Sequence, residues 1–62
     1  MSELELQKEL FKQLDEDTRE LLTTIHLIKI NKVLKNEEKA REEIVRARWL
    51  AQRINDMLFE LG

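Results

Sequence analysis

The chain has 62 residues and a formal charge of −2, with no cysteine, no proline and one glycine at its last position. That length limits it to one small domain, and the absence of cysteine excludes disulfides and thiolate metal sites. Without turn-forming residues, β-rich folds and glycine loops that cradle phosphate are both poorly supported.

The first helix start is Ser2, which with Glu5 forms a capping box ahead of an amphipathic run. This predicts a helix over residues 3–15. A second capping box, Asp17 with Glu20, follows three consecutive acids, Asp15, Glu16 and Asp17. Aspartate is a poor helix former, so the chain is expected to break there and restart as a helix over 18–35. One long helix remains the alternative, because Leu10, Phe11, Leu14, Thr18, Leu21, Ile25 and Ile28 pass through the acidic run in unbroken phase. Asn36 before Glu37 and Glu38 reads as a third N-cap, opening a helix over 37–61.

In that last helix Ala40, Ile44, Ala47, Ala51, Ile54, Leu58 and Leu61 alternate in steps of four and three, the spacing of a helix packed on helices. Leu50 and Met57 widen the stripe. In the middle helix the stripe shifts from Leu21, Ile25 and Ile28 to Leu27, Ile30, Val33 and Leu34, which suggests neighbours on two sides. Together these patterns predict an all-α domain built as a small three-helix bundle. The rival is a two-helix hairpin that dimerises into a four-helix bundle.

Apolar residues also lie off the core stripe. Val45, Trp49 and Phe59, in line with Gln52 and Asp56, fall on the far side of the last helix at about 100° per residue. A solvated face should not carry a tryptophan and a phenylalanine, and such patches on small proteins mark interaction sites. Val45, Trp49, Gln52 and Phe59 are therefore the candidate protein-binding residues, joined by Leu27, Ile30 and Leu34 from a stretch rich in β-branched residues.

Other functions find little support. His26 is the only imidazole, with Leu22 and Ile30 one helical turn away, and no nucleophile has a base at a useful spacing. No catalysis, metal or cofactor is expected. Arg46, Arg48 and Arg53 beside Trp49 could bind nucleic acid, but acids at Glu42, Glu43 and Asp56 accompany them. A membrane-surface helix would need a strongly cationic polar face, which this helix lacks. No uncharged run exceeds eight residues and no signal peptide is visible, so a soluble protein is expected. The expected partner is a protein target or a second copy of the chain.

Capping residues at Ser2, Asp17 and Asn36, short polar connections, surfaces such as EEKAREE and out-of-pattern aromatics together resemble de novo designed helical mini-proteins of the three-helix binder class. That resemblance covers the whole chain and implies a rigid scaffold presenting a hydrophobic helix face to a protein target. The irregular segment TTIHLIKIN and the unequal helix lengths depart from it.

Overall fold

A computed structural model describes residues 2–62 as two antiparallel helices, α1 (Glu3–Val33) and α2 (Glu37–Leu61), packed into a rod of 49 × 15 × 15 Å. The three-helix bundle is thus overturned, and the two-helix hairpin is the fold of the single chain. The helices expected over 3–15 and 18–35 are one, and the expected break at Asp15–Asp17 does not form. Asp17 caps nothing. It sits in the middle of α1, turned toward α2, where Gln13 Nε2 donates to its Oδ1 at 3.1 Å and Arg53 Nε lies 3.2 Å from its Oδ2. The partner across the hairpin removes the reason for the chain to stop, since an aspartate held by an arginine no longer competes for its own backbone.

The predicted ends are otherwise found. The Ser2 hydroxyl accepts from the Glu5 amide at 3.2 Å, and the Asn36 side chain accepts from the Lys39 amide at 3.4 Å. Between the helices the Asn36 amide donates to the Asn31 carbonyl at 2.8 Å and the Lys35 amide to Lys32 at 3.1 Å, closing α1 with a Schellman turn. That turn places Lys35 at φ 59°, a left-handed conformation that glycine ordinarily supplies.

The seam between the helices is polar along its centre on α1. Asp17, Thr24 and Asn31 are buried at seven-residue intervals, and Thr24 Oγ1 and Asn31 Nδ2 each bond back to a carbonyl one turn earlier, both at 2.8 Å. Leu10, Leu14, Leu21 and Ile28 flank them, half-buried. On α2 the seam is Ala40, Ile44, Ala47, Leu50, Ile54, Met57 and Leu61. Leu50 and Met57 thus face α1 itself rather than a third helix, while Ala51 and Leu58 fall beside the seam and are exposed. Ala40 and Leu50 are the only fully buried apolar residues among those described. α1 has 31 residues to the 25 of α2, so its first turns run past the end of α2.

The Asp17 site yields a test. Asp17 Oδ2 has the Arg53 ion pair but no aligned hydrogen bond, so Arg53→Met strands a buried carboxylate. The expected loss is ~1–3 kcal/mol in thermal or urea unfolding. Adding Asp17→Leu should restore most of it, because removing both members of a buried pair is often neutral. A double variant as unstable as Arg53→Met would show that Asp17 contributes something other than this pairing.

Candidate protein interface

The two broad sides of the hairpin differ in chemistry. One side carries the cross-helix ion pairs, Arg46 with Glu20 and Arg53 with Asp17. The grooves along it are lined by Glu9, Gln13, Arg53 and Asp56 near the open end and by Arg19, Glu20, Glu43 and Arg46 further on. At about 100° per residue, the other broad side collects Phe11, Leu14, Leu21, Ile25 and Ile28 from α1 with Ile44, Ala47, Ala51, Ile54 and Leu58 from α2. Its outer members, Phe11, Ile25, Ala51 and Leu58, are exposed, and Leu22 lies on its margin. Nothing charged interrupts it between Phe11 and Ile28 except residues turned to the outside of the rod.

The residues singled out from sequence occupy different ground. Val45, Gln52 and Phe59 point directly away from α1, and Trp49 is turned from that line toward the polar side. Trp49 is 68% and Phe59 78% exposed, and Gln52 spends its side-chain amide on Asp56 at 3.0 Å. Val45, Arg48, Trp49 and Gln52 line a shallow groove on this back face, whereas Phe59 belongs to a separate one with Asn55, Leu58 and Gly62. Leu27, Ile30 and Leu34 are exposed on α1, Leu27 at the groove that holds Glu20 and Arg46, and Ile30 and Leu34 nearer the hairpin turn. The structure thus gathers Val45, Trp49 and Gln52 into one patch, sets Phe59 nearer the chain end, and leaves Leu27, Ile30 and Leu34 as another surface. The shift of stripe that suggested a second helical neighbour reflects this exposed surface and not a contact within the chain.

In sequence the residues of the broad apolar side have the spacing of core, because the same helical line serves either a third helix of the same chain or a helix from elsewhere. The signal was present in the unbroken phase from Leu10 to Ile28.

Titratable groups add little chemistry. Lys32 Nζ contacts Glu37 Oε2 at 2.8 Å across the turn, and this hydrogen bond and charge hold the Glu37 carboxyl below the usual glutamate range. His26 is exposed. Among the described residues no three His, Asp or Glu side chains come together as a metal site, and no helix is long and apolar enough to cross a membrane.

A family model described as Sulfolobus spindle-shape virus 1, protein D-63, matches residues 1–62. The chain belongs to that family. No solved structure matches it. Membership in the D-63 family corrects the resemblance to designed mini-proteins: this is a natural viral sequence pattern. The shared traits have a common physical cause, since any chain too short for a large core must rely on good caps, strong helix formers and charged surfaces. The same pressure acts on a D-63 chain and on a designer's.

Proposed function

We propose that the chain is a non-catalytic protein-interaction scaffold that works as a homodimer, two hairpins joining their broad apolar sides into a four-helix bundle. One observation carries this reading: among the described residues thirteen large hydrophobic side chains are exposed, while Ala40 and Leu50 are the only buried apolar ones. A lone hairpin with such a thin seam cannot offset the cost of ordering its chain, and burial against a second copy supplies the missing area. Self-pairing is favoured because the side is self-complementary, with apolar residues from both helices along most of its length, as a two-fold interface requires.

Charge argues for the orientation. The open end of the rod holds Glu3, Glu5, Glu9, Asp56 and Glu60 against Lys8 alone, whereas residues 29–41 around the turn hold five basic and two acidic side chains. Antiparallel packing sets each basic end beside an acidic one, and parallel packing would set like beside like.

In such a bundle Val45, Trp49 and Gln52 remain on the outside and are free to bind a different protein, with Phe59, Leu27, Ile30 and Leu34 as further exposed contacts. Sedimentation equilibrium combined with tryptophan emission tests both parts. The expected result is a dimer whose Trp49 emission is that of a solvent-exposed indole. A monomer at high concentration would overturn the scaffold reading. A dimer with blue-shifted, shielded Trp49 would show that the back face is the self-interface and is not available to a second protein.

A further inference from the structure

The turn that joins the helices combines exposed apolar side chains with a cluster of basic ones. Val33 and Leu34 are 81% and 70% exposed, with Ile30 also exposed one turn back. Around them stand Lys29, Lys32, Lys35, Lys39 and Arg41, against Glu37 and Glu38, so residues 29–41 carry +3 in a chain of net −2. Lys32 is paired with Glu37, but Lys29, Lys35 and Lys39 have no carboxylate within ion-pair distance among the described residues. Lys35 adds an independent mark. It occupies the left-handed position at φ 59° where glycine would be the less strained choice, so the chain keeps a cationic side chain at the apex at some conformational cost.

We infer that this tip is a docking element for the surface of an anionic lipid bilayer, Val33 and Leu34 entering the headgroup boundary while Lys35, Lys39 and Lys29 meet lipid phosphates. The size of the tip selects a bilayer over an acidic protein. The end of the rod measures about 15 × 15 Å. A stable protein interface takes roughly 800 Å² from each partner, far more than this end can offer. A charged leaflet makes no such demand, because it attracts basic residues through its surface potential and admits a few apolar side chains anywhere. The objection that α2 lacks a cationic polar face concerns a helix lying flat and does not touch an end-on tip. With one such wedge per hairpin, attachment is reversible. The docking element is the tip of a single hairpin; in the antiparallel dimer proposed above, the acidic open end of the partner lies beside that tip and weakens its attraction to an anionic surface.

Cosedimentation of the full chain with phosphatidylglycerol vesicles and with phosphatidylcholine vesicles is the test. Binding is expected to phosphatidylglycerol only, weakening as salt is raised. Lys35→Gly should weaken it about fivefold while the melting temperature holds or rises. Val33→Ser with Leu34→Ser should also weaken it, with helicity unchanged, and Lys12→Gln, away from the turn, should not. No pelleting with phosphatidylglycerol, equal pelleting with both lipids, or equal losses from Lys12→Gln and Lys35→Gly would each overturn the assignment. So would binding to soluble polyglutamate as tight as to phosphatidylglycerol and indifferent to Val33 and Leu34.

Discussion

Leu50→Ala is expected to cost most of the helical signal of the chain, while Trp49→Ala, one residue away, leaves melting nearly unchanged. Leu50 is 4% exposed and is the largest buried apolar side chain among the described residues of the seam, where truncation of a leucine typically costs ~2–5 kcal/mol. Small domains have total stabilities near ~5 kcal/mol, and a hairpin with so few buried groups has nothing to absorb such a loss. Trp49 touches solvent over most of its surface, and substitutions of that kind usually stay within ~0.5 kcal/mol. Circular dichroism melts of the two variants at one protein concentration check both halves. Equal destabilisation would place Trp49 in a packed environment and remove the back face from consideration as a free surface.

Ile25→Glu is expected to dissociate the dimer. Ile25 lies on the broad apolar side, partly exposed in the single hairpin, and two-fold pairing buries it once per copy. Losing ~1.5 kcal/mol or more of burial twice weakens association roughly a hundredfold, before any cost of desolvating the new carboxylates. The measurement is the sedimentation mass across concentration, with the melt followed alongside. In the proposed dimer the hairpin draws much of its stability from its partner, so the variant should also melt at a lower temperature. A variant that remains a dimer with unchanged affinity would move the interface to another side of the rod.

How much of this could be read from the residues varied with the physics of each feature. The caps at Ser2 and Asn36 and the turn near Lys35 are local, set by residues within a few positions, and the structure places them as the sequence indicates. Ala40, Ile44, Ala47, Ile54 and Leu61 face α1 as their spacing requires. The width of the stripe is ambiguous in sequence, where Ala51 and Leu58 carry the spacing as well as Leu50 and Met57; the structure keeps only the latter two in the seam, because neighbouring lines on a helix differ by a small rotation and only the partner selects between them. Asp17 failed for a related reason. A capping residue and a buried ion-pair residue look identical in one dimension, and Arg53, which decides the matter, is 36 positions away. The exposed apolar surfaces are legible only in part. Trp49 and Phe59 stand out against a polar face, whereas the broad side has the pattern of ordinary core.

The unequal lengths of the two helices divide the rod into regions that do not melt as one. From about Leu10 to the turn, each turn of α1 lies against α2, and its backbone opens only when the hairpin opens. Glu3 to Lys8 form an overhang of under two turns, roughly 9 Å, with Leu4 and Leu6 exposed. An isolated stretch of that length is marginal in water, so its hydrogen bonds fray on their own and close again without the rest of the molecule noticing. Amide exchange is accordingly expected to be faster in those first turns than in the paired length of α1, and a surface that covered Leu4 and Leu6 would slow it.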